Sequence, residues 1–189
     1  MLFRSQVANT ASVYGAFLKR FKPSAQRPLL LKPIDVVSGG AACEAHQRDA
    51  NDLIDEIECD VLYLDPPYNH RQYGANYHVL ETVAAYDAPA LRGVTGLRPY
   101  PRSRYCQAGE AADALADLVR KARTRHILMS YNDEGLLPLD TIIRILGSRG
   151  TPITHRQAYA RFKADNGRAY KRDATVEYLH HVRVATKSM

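Results

Sequence analysis

Two segments of nearly continuous apolar residues predict strands that are buried on both faces. The first segment runs from Asp60 to Asp65 and the second from Arg125 to Tyr131. Pro66-Pro67 must end the first strand, because neither proline has the backbone N–H that a sheet ladder needs. A turn sequence, Asn-Asp-Glu-Gly at 132–135, follows the second. The pattern therefore predicts two buried strands of one sheet.

Apolar residues at helical spacing predict helices between and beside these strands. Glu110–Arg123 is the strongest of them, with basic residues in its last turn. The residues expected on its buried side are Leu115, Leu118 and Val119. Tyr77–Tyr86 is a second helix, and its expected buried residues are Val79, Leu80, Val83 and Ala84. The remaining predicted helices are Thr10–Phe21, Asp49–Glu58 and Leu139–Leu146, the last closed by Gly147.

The end of the chain alternates between apolar and polar residues, which predicts strands. The segments are Thr154–Lys163 and Thr175–Val184, joined by the loop Ala164–Arg172. Other non-helical predictions are short extended segments at 29–31 and 34–37, a strand edge at Ala42–Arg48 and a loop at Pro89–Tyr105. The order strand, helix, strand, helix and two final strands indicates an α/β sheet with a terminal antiparallel hairpin.

Composition places the chain among ordinary globular proteins. Of its 189 residues, 46% are hydrophobic and 24% are charged, which excludes a disordered tail protein. No apolar stretch approaches the roughly 18 to 20 residues of a membrane helix, and no secretory signal is apparent. The three cysteines (Cys43, Cys59 and Cys106) are too widely spaced for a disulfide scaffold or a zinc site. We therefore expect a cytoplasmic protein with no membrane association and no metal.

The net charge of +6 is unevenly distributed. Residues 1–95 carry 9 basic and 11 acidic side chains, whereas residues 96–189 carry 17 basic and 9 acidic ones. A basic half suits a polyanion partner, because phosphate neutralisation releases condensed counterions. The alternative is a solvated basic surface. Charge suggests nucleic acid without establishing it.

The segment Asp65-Pro66-Pro67-Tyr68 is the candidate for chemistry, because open α/β sheets bind ligands at the carboxyl ends of their strands. The stiff proline pair fixes the direction of its backbone carbonyls. Asp65 and a carbonyl can accept both hydrogens of an exocyclic amine while Tyr68 stacks on a planar base. The alternative is an ordinary strand end.

This segment resembles the catalytic motif of adenine-specific, amino-directed DNA methyltransferases. Other segments resemble the Dam-like class of that family and extend the similarity over nearly the whole chain. They are residues 8–10, 13–19, 49–50, 63–73, 76–82, 130–135 and 177–179.

The resemblance implies a Rossmann-like S-adenosylmethionine-dependent methyltransferase sheet, mostly parallel with a terminal antiparallel hairpin. It implies methyl transfer from S-adenosylmethionine to the N6 amine of an adenine flipped out of double-stranded DNA. The implied catalytic residues are Asp65, Pro66, Pro67 and Tyr68. Asp65 and the carbonyl of Pro66 accept the two N–H bonds, and Tyr68 stacks on the base. The implied donor contacts are Asp65 and, by its position, Asp49, for which a helix cap is the alternative.

Basic and aromatic residues interleave in two segments, as they do on nucleic-acid surfaces. One segment follows the catalytic motif and the other surrounds the terminal hairpin loop. The predicted DNA contacts are Arg71, Tyr73, Asn76, Arg98, Arg102, Arg104, Arg161, Lys163, Lys171 and Arg172. Taken singly, each charge is better explained as a solvated surface residue, whereas the two clusters together favour phosphate contact.

The glycine-rich donor turn typical of these enzymes, Phe-x-Gly-x-Gly, is absent. We therefore expect residues 1–35 to be a helix and linker, residues 36–189 to be the catalytic portion, and the sheet to be incomplete on its N-terminal side. The catalytic strand would then expose an apolar edge, and a separate chain could supply the donor-binding half. The alternatives are a non-catalytic remnant or subunit that binds nucleic acid, or an RNA or protein-amide acceptor.

Overall fold

A computed structural model describes residues 39–40, 42–93, 96–160 and 174–185. The chain divides into two compact units: residues 1–47 with 73–101, and residues 48–72 with 102–189. The predicted helix at 10–21, the extended segments at 29–31 and 34–37, and the loop at 164–172 lie outside the described residues. The boundary expected at residue 35 lies there too and stays a prediction.

The second unit contains a four-stranded sheet. Its elements in chain order are α1 (Ala50–Leu53), β1 (Glu58–Leu64), a 3₁₀ turn (Arg104–Cys106), α4 (Ala111–Lys121), β2 (Arg123–Asn132), α5 (Leu139–Gly147), β3 (Ile153–Ala160) and β4 (Ala174–Arg183). The first unit contributes α2 (Tyr73–Asn76) and α3 (His78–Ala85). No helix among the described residues is both long and apolar enough to cross a bilayer.

The strand order is β1-β2-β4-β3. β1 pairs with β2 in parallel, and β4 is antiparallel to both β2 and β3. The α/β class and the antiparallel terminal hairpin are therefore confirmed. The sheet is mixed rather than mostly parallel, because β4 returns between β2 and β3, so only one pair of neighbouring described strands is parallel.

The core lies between one face of the sheet and two helices. Leu115 and Val119 of α4 pack in one cluster with Ile127 and Met129 of β2 and with residues of α5 and β4. Full burial of each such side chain contributes about 1.5–3 kcal/mol. The predicted amphipathic face of α4 is confirmed, since its Leu118 is buried as well.

The prediction that β1 is buried on both faces is wrong. Leu62 and Leu64 pack against the core clusters, but Val61 and Tyr63 are 51% and 57% exposed. β1 pairs only with β2, so it is an edge strand among the described residues. Period-two geometry sends alternate side chains to opposite faces, and no described helix covers the face that carries Val61 and Tyr63.

Two further sequence predictions, for residues 42–48 and 49–58, are wrong. The helix predicted at 49–58 is the single turn α1, because the chain must leave it to begin β1 at Glu58. Residues 42–48 form no strand. Their side chains are exposed, so no burial stabilises an extended ladder there.

In the first unit, α3 forms where the sequence predicts it, but its apolar side is not buried. Val83 is 68% exposed, and Val79, Leu80 and Ala84 are exposed as well, whereas His78 is buried. Helical spacing indicates which residues share a face, and burial additionally needs an element to pack on that face. α3 ends at Tyr86, whose φ of 47° is left-handed.

Candidate active site

Asp65-Pro66-Pro67-Tyr68 follows β1 directly, at the carboxyl end of the parallel pair. The Asp65 side chain is exposed, both prolines are half-buried, and Tyr68 is 41% exposed. No described group donates a hydrogen bond to the Asp65 carboxylate or to the carbonyl of Pro66. The Asp65 carboxylate and the Tyr68 ring are therefore exposed at one end of the sheet, next to a Pro66 carbonyl that no described donor occupies.

The motif is anchored to the loop that follows β2. The amide of Leu136 donates a 2.9 Å hydrogen bond to the carbonyl of Tyr68. The next amide, that of Leu137, donates to the hydroxyl of Tyr131 at 3.2 Å. A Cβ on Gly135 would lie 2.2 Å from the Tyr131 ring, so only glycine fits there without a shift. The proline pair and this loop together fix the backbone that carries the site.

The segment after the motif is held in the same unit. The side-chain oxygen of Asn69 accepts a 2.9 Å hydrogen bond from the amide of Arg71, which closes an Asx turn. The side chain of Gln72 accepts from the amide of Ser103 at 2.8 Å and donates to its carbonyl at 3.2 Å. The thiol of the buried Cys106 lies 3.5 Å from the carbonyl of Arg71. Residues 69–72 are thus fastened to the 3₁₀ turn.

Two polar residues whose site roles the sequence did not predict lie at the same end of the sheet. Asn132, the last residue of β2, is buried and pairs in register with Glu177 of β4. Its side-chain oxygen accepts a 3.1 Å hydrogen bond from the amide of Glu134. Burial, followed by the negative charges of Asp133 and Asp65, raises the pKa of Glu177, and a hydrogen bond from Asn132 opposes the shift. In the sequence, these two residues could have been found from the segments 130–135 and 177–179, which resemble the Dam-like class.

Asp133 ties the turn after β2 to the start of β4. Its carboxylate accepts a 2.7 Å hydrogen bond from the Thr175 hydroxyl and a 2.9 Å one from the amide of Val176. Its own amide donates to the carbonyl of Val176 at 3.0 Å. This carboxylate therefore stabilises the two strand ends that bring Asn132 and Glu177 together.

Asp49, the predicted donor contact, is the exposed N-cap of α1. Its carboxylate accepts a 2.8 Å hydrogen bond from the amide of Asn51. Asn51 is buried and donates to the carbonyl of Ala114 and to Asp117, both at 2.8 Å, while the Tyr105 hydroxyl donates to it at 2.9 Å. The Asp49 carboxylate therefore caps a helix, as the alternative interpretation has it. Its proposed contact with the methyl donor stays a prediction.

The predicted DNA contacts fall in different parts of the chain. Arg71, Arg102 and Arg104 are exposed residues of the second unit. In the first unit, Tyr73 stacks on Tyr77 with ring centroids 5.6 Å apart, and Arg98 forms a bidentate ion pair with Asp87 at 2.8 and 3.0 Å. Asn76 ends α2 and is half-buried. The remaining four, Arg161, Lys163, Lys171 and Arg172, lie outside the described residues.

Arg98 differs from the exposed predicted contacts because its guanidinium is already paired with Asp87. Its side chain is only 16% exposed and also donates to the Thr82 hydroxyl at 3.2 Å. An arginine whose guanidinium is held by a carboxylate is less available to a phosphate than a solvated one. The exposed arginines of the second unit are the better candidates.

Comparison with known proteins identifies the family that the chain resembles. Residues 1–144 match the D12 class N6 adenine-specific DNA methyltransferase family. The chain is 48% identical over 177 residues to the type II methyltransferase M.NlaIII of Neisseria lactamica, across 93% of this chain and 53% of that protein.

Two further curated relatives extend the similarity. The chain is 42% identical over 183 residues to the type II methyltransferase M.FokI of Planomicrobium okeanokoites, across 93% of this chain and 28% of that protein. It is 36% identical over 158 residues to M.CviAII of Paramecium bursaria Chlorella virus 1, across 84% and 48%. The chain thus spans about half the length of M.NlaIII and M.CviAII and less than a third of M.FokI. No solved structure gives a significant match.

Proposed function

The chain belongs to the D12 class N6 adenine-specific DNA methyltransferase family, and on that premise we propose that it transfers a methyl group to the N6 amine of adenine in DNA. The observation that carries the proposal is the Asp65 carboxylate, exposed and accepting no hydrogen bond from any described group, directly before Pro66-Pro67-Tyr68 at the carboxyl end of β1.

The proposed chemistry requires two hydrogen-bond acceptors for one amine. The lone pair of an aryl amine is conjugated with the ring, so the amine is a poor nucleophile. Asp65 and the carbonyl of Pro66 would accept its two N–H bonds, which favours a pyramidal nitrogen and stabilises the positive charge that develops there. The proline pair limits backbone motion, so little ordering is needed when the base arrives.

Tyr68 is the proposed stacking surface for the base. The target adenine must leave the duplex for its amine to reach Asp65. Stacking of an extruded base on an aromatic side chain is worth about 1–3 kcal/mol, which offsets part of the cost of extrusion. Tyr68 is exposed enough to offer its ring, and its backbone is fixed by Leu136.

S-adenosylmethionine is the proposed methyl donor, and its sulfonium supplies a methyl group that needs no further activation. The methyl group forms a bond to nitrogen, the bond between methyl carbon and sulfur breaks with its electron pair remaining on sulfur, and nitrogen then loses a proton to water. The exposed carboxylate of Asp65 suits a cationic donor. Asp49 remains a proposed second donor contact.

We also propose that the sheet is part of a Rossmann-like methyltransferase sheet whose donor-binding turn comes from polypeptide beyond these 189 residues. The position of β1 at the edge of the described sheet supports this, because an unpaired strand edge favours pairing with another strand. The exposed Val61 and Tyr63 also leave an apolar face that further polypeptide could cover. The lack of Phe-x-Gly-x-Gly agrees with it. That polypeptide could be a separate partner chain.

The proposed substrate is double-stranded DNA in the cytoplasm, with Arg71, Arg102 and Arg104 on its phosphates. The other proposed contacts are Tyr73, Asn76 and the four basic residues of the hairpin region. Arg98 is the weakest proposed contact, because Asp87 already binds its guanidinium. The relatives are named type II methyltransferases, and others are named modification methylases. A restriction-modification role follows as a proposal.

The test measures transfer of a tritiated methyl group from S-adenosylmethionine to adenine-containing duplex DNA. We expect Asp65→Ala to abolish transfer, because the amine loses its carboxylate acceptor. Asp60→Ala is the matched control, since Asp60 is an exposed aspartate of the same strand that, among the described residues, pairs with the exposed Arg125. It should leave transfer unchanged.

The same assay is repeated with this chain replacing the matched region of M.NlaIII, so that a donor-binding half is supplied. Transfer only in that chimera would support the proposal that the donor site lies in other polypeptide. Folded protein that binds DNA but transfers nothing in either form would favour the non-catalytic alternative and overturn the proposed activity.

A further inference from the structure

Arg156 of β3 is an exposed arginine whose guanidinium lies over an aromatic ring. Its Cζ atom is 5.8 Å from the centroid of the Tyr178 ring, and the two residues are register partners on β3 and β4. Register partners of an antiparallel pair project from the same face of the sheet, so this contact joins neighbouring strands. A cation over an aromatic ring is attracted by the negative face of the ring. The position of the guanidinium is therefore restrained while its charge remains.

Other arginines of the second unit are held by oxygen atoms instead. Arg120 and Arg125 pair with carboxylates, and Arg149 donates to three backbone carbonyls. Among the described residues, the side chain of Arg156 forms neither an ion pair nor a hydrogen bond. A stacked guanidinium keeps its N–H donors in its own plane, where they can bind the oxygens of a phosphate in pairs. Arg156 therefore has the donors and the charge that a phosphate requires.

A series of contacts links this arginine to the proposed amine site. Its partner Tyr178 pairs in register with Tyr131 of β2. The Tyr131 hydroxyl accepts a 3.2 Å hydrogen bond from the amide of Leu137. The preceding amide, that of Leu136, donates to the carbonyl of Tyr68 at 2.9 Å. The strand that carries the arginine is therefore joined to the backbone that carries the site.

Arg156 and the proposed amine site are close enough to contact one duplex. The strand order places β3 three strand spacings from β1, which is about 15 Å. β3 is antiparallel to β4, as β2 is, so its carboxyl end lies at the same end of the sheet as Asp65. Successive phosphates of one DNA strand advance by about 3.4 Å along the helix axis, so a duplex with its adenine at Asp65 offers phosphates within about 15 Å.

We propose that Arg156 binds a backbone phosphate of the DNA, with its guanidinium positioned beforehand by the Tyr178 ring. The inference rests on the proposed methyl transfer to DNA. A flexible arginine loses side-chain entropy when it binds, whereas a restrained one loses less. A phosphate contact of this kind positions the duplex over the sheet and carries no sequence information.

The test measures binding of a fluorescein-labelled duplex to the 189-residue chain and to the M.NlaIII chimera, between about 50 and 200 mM salt. We expect Arg156→Gln to bind about fivefold to tenfold more weakly than wild type. The slope of log affinity against log salt should become shallower by about 0.9, the value for one lost phosphate contact. The weakening should be equal for two duplexes of unrelated sequence.

Arg144→Gln is the matched control. It removes another exposed arginine without a described partner, in the last turn of α5, which leads back to the start of β3. This variant should bind DNA as wild type does. Two variants test the aromatic ring. Tyr178→Phe keeps the ring and should match wild type, whereas Tyr178→Leu should weaken binding about twofold to fivefold with an unchanged salt slope, because the charge of Arg156 remains.

Three outcomes would overturn the inference. The first is equal affinity and equal salt slope for wild type and Arg156→Gln, or an effect of Arg144→Gln as large as that of Arg156→Gln. The second is a loss confined to one of the two sequences, which would indicate a base contact. The third is wild-type binding by Tyr178→Leu, which would remove the role of the ring. Absence of DNA binding by wild type in both forms would instead overturn the proposed function itself, so the two failures are distinguishable.

Discussion

The amide of Leu136 donates a 2.9 Å hydrogen bond to the carbonyl of Tyr68 and so joins the loops that follow the two parallel strands. One loop carries the residues proposed to hold the amine and the base, and the other contains the turn fixed by Asn132 and Asp133. The position of the Tyr68 ring therefore depends on residues more than sixty positions later in the chain.

Gly135→Ala should disturb this link. The new Cβ would lie 2.2 Å from the Tyr131 ring, so the loop must shift and weaken the bond from Leu136 to Tyr68. We expect a loss of about 1–3 kcal/mol in unfolding free energy, as for overpacking, together with slower methyl transfer. Urea unfolding measures the first effect. Gly109→Ala is the control, because a Cβ there meets nothing within 4 Å, and equal stability of both variants would contradict the account.

Asn51→Ala should destabilise the second unit without altering the proposed site. Asn51 is buried and binds Ala114, Asp117 and the Tyr105 hydroxyl. Removing its side chain leaves buried groups unpaired, which should lower the unfolding free energy by about 1–3 kcal/mol. Asn51 is also the main cause that lowers the pKa of Asp117 to about 2, so that pKa should rise in the variant. Chemical denaturation and carboxylate NMR titration measure the two effects, and an unchanged midpoint would refute the network's role.

Glu177→Gln should stabilise the fold at neutral pH. The pKa of Glu177 is raised in the folded protein, mainly by burial. Above that raised pKa the charged form costs the folded state free energy, and below the unfolded pKa the cost is absent. The gain from the glutamine should therefore be present at pH 7 to 8 and vanish near pH 4. Thermal melts over that range test the sign, and a gain that grows towards acid would contradict it.

Val61→Lys should reduce self-association of the isolated protein. Val61 is 51% exposed on the edge strand, and charged residues on edge strands oppose edge-to-edge pairing. Sedimentation velocity should show less oligomer, with an unchanged melting temperature. Val83→Lys makes the same substitution at a site 68% exposed in the first unit. Equal effects of both variants would indicate general charge repulsion rather than a specific edge.

Local chemistry explains which parts of the fold could be predicted. Pro66-Pro67 ends β1 because proline lacks an amide hydrogen, and Leu115 with Val119 marks the buried side of α4 by spacing alone. The terminal hairpin also follows from its alternating pattern. Each of these depends on neighbours in the sequence.

The features that could not be predicted depend on distant residues. An apolar run does not reveal which strand lies at an edge, so the exposure of Tyr63 was missed. The contact between Asn132 and Glu177 arises from the register of β2 with β4, and the ion pair of Arg98 depends on where the chain places Asp87. Such partners are set by topology, which single-segment patterns do not contain.

Mass spectrometry of nucleosides tests the role of Asp65 directly. The nucleosides come from duplex DNA incubated with S-adenosylmethionine and either wild type or Asp65→Asn, in whichever form of the protein transfers methyl groups. We expect N6-methyladenine with wild type and none above background with the variant, because the amide offers the amine no negative charge. N6-methyladenine from both proteins, or a methyl group on any other atom of the DNA, would contradict the assignment of Asp65.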